Sequence, residues 1–227
     1  MRAWIDIAPG LRLTGEGLAW LTEERVIIAA DLHLGYELAA QRRGGYLPPV
    51  MRGTDVGTRL VAIARRLGAQ RLVIAGDLRH STQDVDELER AELAALAQVV
   101  AREMAFDVVL GNHDRGGALA GTEPLASLMI GPVHVTHLPP RTTPDHWTVC
   151  GHLHPRITVR DETGASARYP CALVGTRLLV LPALSDWAGG TEARRLMREL
   201  PRGEWRAVPI SDGMVADLGI VLSSGGD

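Results

Sequence analysis

Hydrophobic residues in this chain come in short unbroken runs, and the early runs end abruptly in polar residues. The runs are ERVIIAADLHLG (24–35), QRLVIAGDLRH (70–80), FDVVLGNHD (106–114), GPVHVTH (131–137) and HWTVCGHLH (146–154). Continuous β-branched stretches of this length predict strands buried on both faces. Between the first three the period changes. Val56, Leu60, Ile63, Ala64 and Leu67 share one stripe of a helix predicted from Thr54 to Leu67. A longer helix is predicted from Asp84 to Met104, where Val85, Leu88, Leu93, Leu96, Val99 and Val100 recur opposite acidic residues. Such alternation predicts βαβ units and a largely parallel inner sheet.

Beyond about residue 155 the segments RITVRD, PCALVGTRLLVLPAL, EWRAVPIS and DLGIVLS read as short strands, and TEARRLMREL (191–200) as a further helix. These predict a second, more antiparallel sheet, joined by RAWIDI, LRLT and LAWLT from the N-terminal end. Two sheets packed face to face with helices outside would bury all of these runs. No repeat, linker or low-complexity tract interrupts the chain, so 1–227 reads as one domain.

Composition adds limits. With 46% hydrophobic and 22% charged residues, the 227-residue chain can bury a sizeable core. The net charge of -3 excludes a polycation, so nucleic-acid binding would need a local patch or bound metal ions. Cys150 and Cys171 form no C-x-x-C pair and read as buried, reduced thiols. The N-terminal stretch lacks the apolar core of a signal peptide, and no run approaches the roughly 20 residues of a membrane span. A soluble, cytoplasmic protein without membrane contact is expected.

The chemistry lies where the strands stop. In α/β sheets ligands gather at the carboxyl ends of strands. Here five strand ends carry Asp-x-His, Gly-Asp, Gly-Asn-His-Asp, a lone His and Gly-His-x-His, supplying Asp31, His33, Asp77, Asn112, His137, His152 and His154. Any one of them alone reads as a cap, a turn former or a structural histidine. Together they form a donor set of imidazole, carboxylate and amide that suits divalent metals of intermediate hardness. If two ions sit roughly 3.5–4 Å apart, one carboxylate must bridge them, and Asp77 is the natural bridge. Gly76, Gly111 and Gly151 each precede a polar residue and would allow sharp turns and close approach to a ligand.

The order of these blocks resembles the calcineurin-like metallophosphoesterase superfamily over residues 26 to 155, with LVLPALSDWAGG (179–190) extending the match. The resemblance implies a four-layer αββα sandwich of two mixed sheets flanked by helices, with a dinuclear centre. Asp31, His33 and His154 would hold one metal, Asn112, His137 and His152 the other, and Asp77 would bridge. Mn2+ is the first expectation, with Zn2+, Fe2+ or Mg2+ as alternatives. A hydroxide between the metals would attack phosphorus while His113 protonates the leaving oxygen, and Asp114 would orient His113. The lone-histidine block, VTHLPP, departs from the family's usual pattern. His134 stands three residues before His137, and strand alternation turns the two opposite ways, which favours His137 at the strand end.

DLHLGYE, GDLRH and LPALS..GG more narrowly resemble the ligase-associated DNA damage response endonucleases and their archaeal relatives. That implies a DNA-repair phosphodiesterase with DNA ligase and helicase as functional partners. For substrate, QRRGGYLPPVMRG (41–53) offers Arg42, Arg43, Arg52 and a tyrosine with no acid, able to grip phosphates and stack on a base, or to form a solvated loop. Arg79 and Arg115 adjoin metal blocks and could contact phosphate or pair with the acidic helix. His80 could bind ligand or substrate, or cap that helix. Two other functions compete: a phosphohydrolase of small nucleotides or cyclic diesters, and a non-catalytic repair scaffold that keeps a metal site.

Overall fold

In a computed structural model, the structure describes residues 1–47, 52–82, 87–114 and 121–224. The first half builds one sheet and its covering helices. Its strands are β1 (Trp4–Ala8), β2 (Leu11–Thr14), β3 (Ala19–Leu21), β4 (Val26–Ala29), β5 (Arg71–Ala75) and β6 (Ala105–Val109), side by side in that order. The first three junctions are antiparallel; β4–β5 and β5–β6 are parallel. Helix α1 (Tyr36–Arg42) follows β4, while α2 (Gly53–Leu67) and α3 (Glu87–Ala101) flank β5 in the chain. The expected βαβ alternation is present. α2 stops where Gly68 takes the left-handed conformation that a helix end favours.

The second half builds the other sheet. β7 (Leu128–Ile130), β8 (Val133–Val135), β9 (Trp147–Cys150), β10 (Pro155–Arg160), β11 (Ser166–Gly175), β12 (Leu178–Val180) and β13 (Thr191–Glu192) run in the order β13-β10-β11-β12-β9-β8-β7. α4 (Ala193–Leu196) follows, and β14 (Gly203–Ser211) pairs with β11, β15 (Met214–Val215) and β16 (Ile220–Ser224). Junctions β8–β9, β9–β12 and β10–β13 are parallel and the others antiparallel, so both sheets are mixed.

Side-chain alternation along the strands assigns the layers. Val26 and Ile28 of β4 and Val73 and Ala75 of β5 meet Val149, Ala172 and Leu179 in a core between the sheets. Their neighbours Ile27, Ala29, Leu72 and Ile74 point the other way, against Leu60, Ala64, Leu93 and Leu96 of α2 and α3. On the far face Cys150, Cys171, Leu173 and Val180 pack on Ala193 and Leu196 of α4. The result is helix, sheet, sheet, helix. Each fully buried aliphatic side chain contributes about 1.5–3 kcal/mol. Both cysteines are free and buried, and burial pushes their thiols up. No helix among the described residues is long and apolar enough to cross a membrane.

Three expectations change. The N-terminal strands extend the first sheet through β3–β4 rather than joining the second. The helix expected over 191–200 shrinks to Ala193–Leu196, because Thr191 and Glu192 pair with Pro155 and Arg156 as a short parallel strand. The helix expected from Asp84 begins, among described residues, at Glu87 and ends at Ala101. α1 was not anticipated.

Candidate metal centre

The seven donors predicted from sequence converge just past β4, β5, β6, β8 and β9, at the C-terminal ends of strands from both sheets. Backbone bonds beyond the strands hold these ends in register: Asp31 N donates to Gly76 O (3.1 Å) and His33 N to Asp77 O (2.9 Å). Asp31, His33, Asp77, His152 and His154 all have positive φ, between 45° and 70°. Such a conformation costs an L-residue roughly 1–2 kcal/mol, so backbone strain is concentrated at this one place. The glycines act on the donors themselves. A Cβ on Gly76 would lie 2.1 Å from His137 Nδ1, on Gly111 2.2 Å from Asp77 Oδ1, and on Gly151 2.4 Å from Asp31 Oδ2. Only Gly76 of the three has a positive φ, so the expected sharp turn is confined to it.

Two donor groups result. In the first, His154 Nε2 stands 3.3 Å from His33 Nε2 and 3.5 Å from Asp31 Oδ1. His154 Nδ1 faces the Gly189 carbonyl at 3.0 Å and donates to it, leaving the Nε2 lone pair for the centre. Asp31 Oδ2 accepts from His152 N (2.8 Å), whereas Asp31 Oδ1 is buried with no hydrogen-bond partner among the described residues. In the second group, His137 Nδ1 donates to the Ala75 carbonyl (3.0 Å). Its Nε2 then faces Asn112 Oδ1 at 2.8 Å, His152 Nδ1 at 3.2 Å and Asp77 Oδ2 at 3.5 Å. Asp77 lies between the groups: its Oδ2 is also 3.9 Å from His33 Nε2, while Oδ1 accepts from His113 N (2.8 Å).

Lone pairs crowded this way repel one another unless cations lie among them, and an unpaired buried carboxylate oxygen is expensive. The donor set therefore fits divalent metal ions. The electrostatics agree. Burial, then the neighbouring histidines, hold His33 down at about 2, and burial likewise lowers His152, so both imidazoles are neutral, the form that can bind a metal. Burial pushes His154 down, but the Asp31 carboxylate and the Gly189 carbonyl outweigh it, and its net shift is upward. Asp77 is raised by burial against the opposing pull of His137 and the His113 N–H.

His113 is half-buried beside these groups, its Nε2 4.0 Å from Asp77 Oδ2 and its ring edge-on to His33. The expectation that Asp114 orients it is corrected. Asp114 is buried and accepts from Gly111 N (2.9 Å) and Arg79 N (3.2 Å), tying the β5 and β6 loops together. His113 Nδ1 instead donates to the His80 main-chain carbonyl. His80 also turns its ring toward the site, with Nδ1 3.5 Å from His33 Nδ1, and burial lowers it to about 4. Main-chain carbonyls such as those of His80, Ala75 and Gly189 leave no mark in a sequence, which is why these partners were not foreseen.

The arginines divide. Arg79 is fully buried and pairs with Glu89 of α3 at 3.2 Å, so of its two expected roles it takes the pairing and not the phosphate contact. Arg42, Arg43 and Arg52 are exposed, and Arg43 lies near enough for its charge to be felt at His80. Arg115 lies outside the described residues. His134 sits within β8, away from both donor groups.

No protein-family model matches the sequence, and no curated protein does. Among solved structures, the chain is similar to a crystal structure of the Pseudomonas putida nuclease MPE, with a TM-score of 0.68. The two are 20% identical, and the match covers 93% of this chain and 97% of that one. At this identity the likeness is one of fold, and it spans nearly the whole of both chains.

Proposed function

We propose that the chain is a metal-dependent phosphodiesterase that acts as a nuclease on DNA, in a repair setting alongside DNA ligase and helicase. The observation that carries this reading is the pairing of two nitrogen–oxygen donor groups around a shared buried carboxylate, Asp77. Asp31, His33 and His154 would hold one divalent ion and Asn112, His137 and His152 the other. Imidazole and oxygen donors without thiolate are compatible with Mn2+, the first expectation from the family resemblance, and equally with Zn2+, Fe2+ or Mg2+. When bound, such ions supply Lewis acidity, activating water near neutral pH and drawing in phosphate oxygens.

The remaining work falls to the chain. With Nδ1 committed to the His80 carbonyl, the His113 imidazolium would carry its second proton on Nε2, facing the site, and deliver it to the leaving oxygen. Exposed Arg42, Arg43 and Arg52 would grip the DNA backbone, giving local positive charge to a chain whose net charge is -3. The fold likeness to a nuclease supports the choice of a nucleic-acid substrate.

The test uses Mn-loaded protein with bis(p-nitrophenyl) phosphate and with single- and double-stranded DNA. Asp77→Ala should abolish both activities. His113→Ala should slow DNA cleavage by about 10²–10⁴ but the chromogenic diester far less, since p-nitrophenolate leaves without a proton. The Arg42→Ala/Arg43→Ala double variant should lose DNA cleavage selectively; equal loss on both substrates would refute the DNA-gripping role. Wild-type protein that leaves both substrates intact would point to a scaffold, and cleavage of small diesters alone to a small-nucleotide phosphohydrolase.

A further inference from the structure

Asp114 does not hold the His113 ring, whose Nδ1 donates instead to the His80 carbonyl. The orientation of that ring therefore rests on one peptide group, the one that joins His80 to Ser81. A trans peptide is planar, and its C=O and N–H point opposite ways. The C=O meets His113. The N–H of the same group, on Ser81, donates to Glu89 Oε1 of α3 at 3.4 Å. This oxygen also accepts from Arg79 Nε at 3.2 Å. One carboxylate oxygen thus holds the residues on both sides of His80.

Glu89 stands in the first turn of α3 and is 1% exposed. A carboxylate so deeply buried is costly unless it is paired and hydrogen-bonded, and the fully buried Arg79 supplies the opposite charge. Gly35, just before α1, leaves room for it: a Cβ there would lie 3.2 Å from Glu89 Cγ. The segment that Glu89 grips is fixed by main-chain donors as well. His80 N donates to Leu34 O (2.9 Å) and Arg79 N to Asp114 Oδ1 (3.2 Å). Hydrogen bonds to a charged group are stronger than neutral ones, and bonds in a row polarise one another. A carboxylate on the Ser81 N–H therefore makes the His80 oxygen a better acceptor for the His113 Nδ1–H.

We infer that Glu89 is a positioning residue for His113: through the His80–Ser81 peptide it keeps the ring with Nδ1 toward His80 and Nε2 toward the metal centre. This rests on the proton-donor role proposed above for His113. A second group commonly sets which ring nitrogen of a functional histidine faces its task. Here that group is a carbonyl, and the carboxylate acts one peptide further back, from a helix on the outer layer. Glu89 thereby links α3 to the delivery of a proton, without touching the substrate or the donors of either metal group.

The test compares two variants. Arg79→Met/Glu89→Leu removes both charges together and so strands neither, whereas Glu89→Gln keeps an oxygen that can accept from Ser81 N. In Zn-loaded protein labelled with 15N-histidine, the His113 Nδ1–H resonance is assigned by its loss in His113→Ala. It should stand out in wild type and in Glu89→Gln, and be lost to solvent exchange in Arg79→Met/Glu89→Leu. With Mn-loaded protein, that double variant should slow DNA cleavage by about 10²-fold, the cost of a misplacement of about 1 Å. Hydrolysis of bis(p-nitrophenyl) phosphate, which needs no proton from His113, should slow far less. Added to His113→Ala, the same two changes should slow DNA cleavage no further, since both act on one step. An Nδ1–H that persists in the double variant, equal loss on both substrates, or additive loss with His113→Ala overturns the inference. Wild type that cleaves neither substrate would sink the phosphodiesterase reading instead, and the resonance would still decide whether Glu89 seats His113.

Discussion

Replacing Gly76 by alanine should disable the centre through a single methyl group. Gly76 sits at φ +86°, and its added Cβ would lie 2.1 Å from Nδ1 and 2.4 Å from Cγ of His137. To restore ordinary contact near 3.4 Å the ring must retreat by about 1.3 Å. That movement breaks the Nδ1 bond to the Ala75 carbonyl and pulls Nε2 away from Asn112 and Asp77. A misplacement of about 1 Å at a reacting site can cost about 10²-fold in rate. Gly68→Ala is the control. Gly68 has φ +69°, but nothing lies within 4 Å of its would-be Cβ. Both variants carry the left-handed penalty of about 1–2 kcal/mol, which in a chain of this size lowers the melting temperature by about 2–8 °C. Only Gly76→Ala should also lose metal per chain after dialysis, read by mass spectrometry, and diester hydrolysis by about 10²-fold. Wild-type metal content and rate in Gly76→Ala would refute the claim that His137 works from the seat that Gly76 leaves open.

Two further outcomes follow from buried charge. In metal-free protein burial holds His33 at about 2, so below the ordinary value of 6.5 the unfolded chain binds a proton that the native state refuses. Stability is thus lost as pH falls through 6.5, at up to about 1.4 kcal/mol per pH unit from this group, and His33→Asn should flatten the fall in urea midpoints between about pH 7 and about pH 5; equal slopes would contradict it. Removing one partner of the buried Arg79–Glu89 pair, as in Arg79→Met, should cost about 3–5 kcal/mol in chemical denaturation. The Arg79→Met/Glu89→Leu double variant should lose less, and an additive double loss would show that the two charges do not compensate each other.

Much of the fold was readable because the signals are local. The unbroken apolar runs located β4, β5, β6, β8 and β9, and the helical stripe located α2 to within one residue at its start. The polar residues ending those runs are the ones that meet at the centre, since parallel strands bring their carboxyl ends to one edge. The missed features are non-local. Apolar patterning says which strand faces are buried but not which strand lies beside which, so the sequence points β1, β2 and β3 to the second sheet while pairing through β3–β4 places them in the first. A helical pattern at 191–200 yielded where hydrogen bonds to β10 satisfied Thr191 and Glu192 as strand.

The sequence by itself determined the elements and the kinds of donor at their ends, because propensity and periodicity act over a few residues. Only the tertiary structure decided who touches whom. His33 and His154 lie 121 positions apart, yet their Nε2 atoms stand at 3.3 Å. Asp114 was adjacent to His113 in sequence, yet its oxygens serve Gly111 and Arg79 instead. Arg79 adjoins the Gly76-Asp77 block, yet it is sealed against Glu89. Tyr36 and Trp187 belong to motifs 151 positions apart and meet only because backbone bonds bring both to β4's end. Contacts of this kind depend on where separate strands pack, and no local rule of the chain encodes that.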